Sequence, residues 1–193
     1  MRSTHPQDDA DPALLADIVA GSQTAFERLY RLYETRVFQY ISTLVSNSAL
    51  AEEIVGDTMM AVWRGAGTFS GSSRVSTWIF GIARHKALDA LRRTTRTQRE
   101  VDLDGAAYLV SSEDSPFDQV QRSQTESLTK QALSTLSRDH QEILRLVFYE
   151  DLPYEDIATL LSIPTNTVKT RVFYAKQQLK RHLEQLGQKE SIR

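Results

Sequence analysis

From Pro12 to about Arg93 the apolar residues return every three or four positions, and no convincing alternation of period two interrupts them. The series runs Leu14, Leu15, Ile18 and Val19, then Phe26, Leu29, Tyr30, Tyr33, Val37, Tyr40, Ile41 and Leu44, then Leu50, Ile54, Val55, Ala61 and Val62. Such spacing puts one apolar stripe on each of several amphipathic helices and leaves no half-buried strand. Gly21-Ser22, "SNS" at 46–48 and "GAGTFSGSS" at 65–73 interrupt the pattern, and Ser or Asn there can cap the helix that follows. About four helices in an N-terminal bundle result.

Periodicity fails between about Arg99 and Gln121, where "VDLDGAAYLVSSEDSPFDQV" mixes acids, Ser, Gly and Pro116. That stretch is expected to be a linker or extended segment. Helical spacing resumes at Leu128, Leu133 and Leu136 and continues through Ile143, Leu144, Val147, Ile157, Leu160, Leu161, Val168, Val172, Ala175 and Leu179. Pro153 and Pro164 should cut this block into short helices, because a proline ring clashes with a continuing helix. The expected fold is all-α, with two small helical domains at 10–96 and 125–187 joined by a flexible acidic linker at 97–124.

Charge is segregated along the chain. The net charge of −2 averages nine acids against three bases over residues 8–57, five acids and no base over 102–118, and five bases and no acid over 169–181. A second basic island lies between Arg74 and Arg99, with seven Lys or Arg and one acid, Asp89. Two basic islands set between acidic stretches suit a chain with two surfaces that face polyanions. The absence of cysteine removes disulfides, thiolate catalysis and Cys-based zinc sites, and fits a reducing, cytoplasmic location. No apolar leader opens the chain and no run of ~18 apolar residues occurs, so a soluble, unexported protein is expected. His5, His85, His140 and His182 lack metal-ligand spacing, and there is no phosphate-binding glycine loop or nucleophile motif. Neither an enzyme nor a metal or other cofactor is expected, and His140 and His182 are read as surface residues.

Three segments carry the functional reading. In "YEDIATLLSIPTNTVKTRVFYAKQQLKRHL", 154–183, a short helix, a tight "SIP" turn and a second helix follow the pattern of a helix-turn-helix, whose second helix enters the major groove. Projected at 100° per residue, Val168, Val172, Ala175 and Leu179 share one side of that helix. Asn166, Lys169, Thr170, Phe173 and Gln177 share the other. Solvated cations are the ordinary meaning of such a face, but Phe173 is a large apolar residue without a core to enter and is suited to touch thymine methyl groups. On the helix at 76–93, Ile79, Phe80, Ala83, Ala87, Ala90 and Leu91 form the buried stripe. Trp78, His85 and Arg92 are expected together on the opposite face, with Lys86 at its margin. A Trp beside cations is either a stacking platform for an unpaired base or a ring packed under a neighbouring loop, and the residues leave both readings open. On the helix at 48–64, with a core stripe of Leu50, Ala51, Ile54, Ala61 and Val62, the residues Met59, Met60 and Trp63 are expected to face outward beside Glu52, Glu53, Gly56 and Asp57. Apolar residues ringed by acids suggest a protein partner carrying basic residues.

Together these segments resemble the extracytoplasmic-function sigma factors, a compact class of bacterial transcription initiation factors. "AFERLYRLYETRVFQYI" is similar to the family's first helical region, "AEEIVGDTMMAVWR" to its polymerase-binding region, "FSGSSRVSTWIFGIARHKALDALRR" to its −10 region and "YEDIATLLSIPTNTVKTRVFYAKQQLK" to its −35 region. The resemblance implies that Glu52, Glu53, Asp57, Met60 and Trp63 dock on the β′ clamp helices of core RNA polymerase, whose β flap is a further partner. It implies that Ser72, Ser73, Arg74, Trp78, His85, Lys86 and Arg92 melt and hold the −10 element. It assigns −35 readout to Asn166, Thr167, Lys169, Thr170, Phe173, Tyr174 and Lys176, and it implies an anti-sigma factor as inhibitor. His85 stands where the family usually has Asn, Gly81 where a bulkier residue is common, and Tyr174 where Arg is frequent. A stand-alone helix-turn-helix regulator and an interaction module built on the 48–64 surface are the competing readings.

Overall fold

A computed structural model describes residues 11–102 and 131–190, with side chains over 11–96 and 131–186. All regular structure among the described residues is helical, and they fall into two compact units. The first holds α1 (Asp11–Val19), α2 (Gln23–Leu44), α3 (Ser48–Gly65), a 3-10 turn (Ala66–Thr68) and α4 (Val75–Asp102). The second holds helical residues 131–134, α5 (Arg138–Phe148), α6 (Tyr154–Leu161) and α7 (Thr165–Glu190). No helix among the described residues is long and apolar enough to cross a membrane.

The helix starts follow the expected chemistry. Ser22 Oγ accepts the Ala25 N–H at 3.2 Å, and Asn47 Oδ1 accepts the Leu50 N–H at 2.9 Å, so each satisfies an orphan donor of the first turn. Pro153 sits at the N-cap of α6, and the Pro164 carbonyl accepts the N–H groups of Thr167 and Val168 as α7 opens. Proline starts a helix there because its fixed φ suits the entry and its missing N–H would have been unpaired anyway.

The first unit is organised around α2, whose Leu29, Tyr33, Val37, Tyr40 and Ile41 are fully buried. Phe80 of α4 inserts between two of these rings, edge-on to Tyr40 at 5.3 Å and to Tyr33 at 6.4 Å. The Arg36 guanidinium lies over Tyr33 at 4.6 Å and over Phe80 at 5.7 Å, covering the cluster with an apolar stem and a cation–π contact. The Tyr33 hydroxyl donates to buried Asp11, which fixes the start of α1 against α2. Tyr30, beside Phe26, has its phenol pushed above the usual value by burial and by the nearby Glu34 carboxylate.

In the second unit Leu136, Ile143, Leu144, Leu146, Leu152, Ile157, Leu161, Val168, Val172 and Ala175 form the core. Two charged residues are buried with them, Glu142 and Glu150. Glu150 accepts from Arg145 Nε at 3.1 Å and Nη2 at 3.0 Å. His140 and His182, expected at the surface, are half-buried: Nδ1 of His140 lies 2.9 Å from Gln178 Oε1, and His182 bonds Thr135, so both rings tie α7 to the helices before it.

Two elements depart from the sequence reading. Helix α4 continues to Asp102, so residues 97–102, expected to open the linker, are helical, while 103–124 of that linker lie outside the described residues. Arg, Gln and Glu are good helix formers that need no packed face, and a search for apolar period finds only packed helices. Helix α7 is 26 residues long rather than short, because no proline follows Pro164.

The turn between α6 and α7 is made by Ser162, at φ 56° and ψ 44°. This left-handed conformation is strained for a residue with a Cβ and free for glycine. Ser162→Gly is expected to stabilise the second unit by about 0.5–1 kcal/mol, the relief of that strain less the extra disorder of the unfolded chain. A urea midpoint followed by far-UV circular dichroism checks it, and a lower midpoint than wild type would contradict the reading.

Candidate functional site

Helix α3 presents Glu52, Glu53, Asp57 and Met60 to solvent, Met60 with 45% of its surface exposed. Trp63 is half-buried, its ring edge-on to Phe26 of α2 with centroids 5.0 Å apart. Met59 does not face outward as expected; it is fully buried with Ala51, Ile54, Val55, Thr58 and Val62, while Leu50 and Ala61 sit at the margin. The reason is that α3 packs against both α2 and α4, so its buried arc is wider than a stripe drawn for one neighbour and is turned toward Val55 and Met59. The outward face that remains is acidic, with Met60 at its centre and part of Trp63 beside it.

Helix α4 and the loop before it carry the first basic island. Trp78 does not share an open face with His85 and Arg92. Its ring lies tilted on Phe69 at 5.4 Å, and a Cβ built on Gly65 would come within 3.5 Å of its Cζ2, so it packs under the 65–69 turn and is half-buried. The projection placed these three residues by angle alone, and a loop that folds back over the first turn of a helix is invisible to it. His85 and Arg92 are exposed as expected, and Asp89 stands between them: its carboxylate is 3.2 Å from His85 Nδ1 and 3.1 Å from Arg92 Nη1. Lys86 Nζ is 3.6 Å from Asp57 of α3, an ion pair that joins the basic helix to the acidic surface. In the loop, Ser70 Oγ and Ser72 Oγ are 2.8 Å apart, Gly71 takes φ 71°, and the Ser73 hydroxyl donates to the Arg74 carbonyl at 3.3 Å. Ser72 is exposed, and Ser73 and Arg74 are half-buried at the edge of Trp78's helix.

Helix α7 divides as its sequence predicted. Val168, Val172 and Ala175 are buried and Leu179 half-buried, whereas Asn166, Lys169, Thr170, Phe173, Tyr174, Lys176 and Gln177 are exposed and Thr167 is half-buried. Phe173 is 58% and Tyr174 52% exposed, their rings edge-to-face at 5.4 Å. The Thr170 hydroxyl donates to the Asn166 carbonyl at 2.9 Å, leaving its methyl outward. Arg171 is anchored sideways to Asp139 of α5 at 3.1 Å. Lys169, Phe173 and Lys176 fall on one ridge at helical spacing, a pattern of cation, aromatic and cation suited to phosphates and base edges.

Two further features carry no signal in the residue pattern. Phe148 and Tyr149, at the end of α5, are 54% and 52% exposed, and each ring has a cation over it: Lys176 Nζ at 5.2 Å from Phe148, and the Arg145 guanidinium at 4.7 Å from Tyr149. Their positions follow the helical period no differently from buried aromatics, so only the packing separates them. Among the described residues no group of three or more His, Asp or Glu is placed to hold a metal ion.

Comparison with known proteins accounts for both units. Residues 29–97 match the family model for sigma-70 region 2, and residues 128–179 match the model for sigma-70 region 4. The chain is 32% identical over 171 residues to the RNA polymerase sigma factor CarQ of Myxococcus xanthus, covering 86% of this chain and 93% of that protein. It is 27% identical over 187 residues to the RNA polymerase sigma-H factor of Pseudomonas aeruginosa, covering 92% of this chain and 96% of that protein. Among solved structures, the sigma factor RpoE of Bartonella quintana, in complex with the anti-sigma factor NepR, aligns with a TM-score of 0.67 at 26% identity, over 82% of this chain and 96% of that one. Two matched regions in the order in which this chain presents its α4 and α7 surfaces leave no room for a stand-alone helix-turn-helix regulator: the chain belongs to the sigma-70 family of RNA polymerase sigma factors, in its extracytoplasmic-function group.

Proposed function

We propose that this sigma factor docks on core RNA polymerase through the acidic α3 surface and reads promoter DNA with α7 and with α4 and its preceding loop. The observation that carries the proposal is the division of labour on the surface: an acidic face with an exposed Met60 on α3, and separate cationic and aromatic faces on α4 and α7. Glu52, Glu53 and Asp57 supply charge complementary to a basic partner around Met60 and Trp63, the arrangement in which a few apolar anchors carry most of an interface's energy. Lys169, Phe173 and Lys176, flanked by Asn166, Thr167, Thr170 and Tyr174, form the −35 surface. Ser72, Ser73 and Arg74 in the loop before Trp78, and His85, Lys86 and Arg92 farther along α4, form the −10 surface. Trp78 is half-buried under its loop, and a base extruded from the stack would settle between the 70–74 loop and the part of the ring left exposed.

The domains are read as 10–96 and 125–187 about an acidic linker, with a cytoplasmic location. An anti-sigma factor, such as the one seen with the Bartonella quintana relative, would inhibit by covering these surfaces. The chain is an initiation factor, and the chemistry of transcription belongs to the polymerase.

Run-off transcription tests the proposal. Purified chain added to core polymerase is expected to give discrete transcripts from fragments of its source genome, and a complete lack of transcripts would overturn it. Met60→Ala is expected to weaken binding to core at least about fivefold, as for an apolar anchor, without moving the thermal midpoint, because the side chain is largely exposed. Unchanged core affinity would remove Met60 from the interface.

A further inference from the structure

The ridge on α7 ends at Lys176, and Lys176 does not stand free. Its ammonium lies 5.2 Å from the ring centre of Phe148, which comes from α5, outside the helix-turn-helix. Phe148 is 54% exposed, so its ring is neither core filler nor fully solvated. A large apolar ring kept at the surface at the C-terminus of α5, against the helix proposed to read DNA, calls for a reason beyond packing.

We propose that Phe148 is a positioning residue for DNA binding: its ring holds the Lys176 ammonium in place for a backbone phosphate. This rests on the reading of the α7 face as the DNA surface. A lysine is a compact charge on a flexible four-carbon stem and loses considerable rotamer freedom when it settles on one phosphate. A ring face attracts the ammonium through its quadrupole without neutralising it or donating to it. All three N–H groups therefore remain available for phosphate oxygens, and part of the ordering has already occurred before DNA arrives. An acid at position 148 would hold the lysine as well but would compete with the phosphate. Asp89 shows that alternative on α4, where it pairs with His85 and Arg92 at 3.2 and 3.1 Å.

Lys176 lies one turn beyond Phe173 and two beyond Lys169, so fixing it extends the ordered ridge from the base-reading residues toward the backbone. Phe148 touches no DNA in this scheme; it acts through Lys176 alone.

Binding of the full chain to a 24-bp random-sequence duplex, measured by anisotropy across a salt series, tests this without knowledge of the promoter. Lys176→Ala is expected to reduce the slope of log affinity against log salt by about 0.9, the signature of one lost phosphate contact. Phe148→Leu, which keeps an apolar side chain but removes the ring, is expected to weaken binding about two- to fivefold, the range of an exposed cation–π contact. Phe148→Tyr is expected to bind as wild type. The deciding measurement is the double variant: Phe148→Leu should have no effect once Lys176 is alanine. Equal weakening in both backgrounds would assign Phe148 a general structural role and overturn the proposal, as would a Lys176→Ala variant with wild-type slope. If Lys169→Ala also leaves the slope unchanged, the reading of the α7 face as a DNA surface falls with it; if Lys169→Ala alone changes the slope, only the role of Phe148 and Lys176 is lost.

Discussion

Replacing Glu150 with alanine is expected to unfold most of the second unit. Glu150 is fully buried, and its carboxylate takes two N–H donors from Arg145, whose side chain is itself only 13% exposed. Removing the carboxylate takes from the Arg145 guanidinium the acceptor of two of its N–H groups in a poorly solvated site, and breaking a buried pair in this way costs about 3–5 kcal/mol. A helical unit of this size has few kcal/mol to lose. The pair also anchors the turn after α5: the Glu150 and Leu152 N–H groups return to the Arg145 and Leu146 carbonyls, and Asp151 between them takes φ 50°. The double replacement Arg145→Met with Glu150→Met should recover most of the loss, since matched apolar side chains need no ion partner.

The two tryptophans of the chain, Trp63 and Trp78, both lie in the first unit. Fluorescence therefore reports that unit, while far-UV circular dichroism reports both. The Glu150→Ala transition should move in the dichroism signal and stay in place in fluorescence. A loss under about 1 kcal/mol would show that the pair is not what holds α5 to the turn.

The opposite pattern is expected for Phe80→Ala. Phe80 is fully buried on α4 and meets Tyr33 and Tyr40 of α2 edge-on, with Arg36 stacked outside. Deleting the ring removes its transfer energy and leaves a cavity, together about 3–5 kcal/mol, and the two edge contacts add to this. The fluorescence midpoint should fall sharply and the signal of the second unit remain. Phe80→Leu should cost markedly less, because most of the volume is kept. Because Phe80 anchors the helix that carries His85, Lys86 and Arg92, the alanine variant should also lose promoter opening while retaining duplex binding through α7. Retained opening at a temperature where the fluorescence shows the unit unfolded would contradict the assignment of α4.

Much of this protein was legible as sequence because helices bury regular stripes. The period through Leu29, Tyr33, Val37 and Tyr40 gave α2; Ser22 and Asn47 gave the starts of α2 and α3; and Val168, Val172 and Ala175 set the buried side of α7 and so its exposed one. In each case the information is local, since a cap reaches three residues and a stripe needs only one neighbour. The misplaced side chains, Met59 and Trp78, are set by contacts between elements, whereas the helical extension of α4 to Asp102 lacks any apolar period to mark it. A stripe drawn for one neighbour puts Met59 outward, whereas α3 packs against two and buries it. An angular projection contains no loop and so puts Trp78 on an open face, whereas the turn at 65–69 folds back over it.

The sequence by itself determined the helical class, the division into two units, the cationic face of α7 and the family, because these depend on spacing and on motif order. Only the tertiary structure decided that Trp78 packs under its loop and that Phe148 stays at the surface. Phe80, inside α4, is sealed between two tyrosines, whereas Phe148, the last residue of α5, lies open beneath a lysine. The difference is made by what the neighbouring helix brings to each ring, and that is fixed by packing across the fold rather than by any order of residues along the chain.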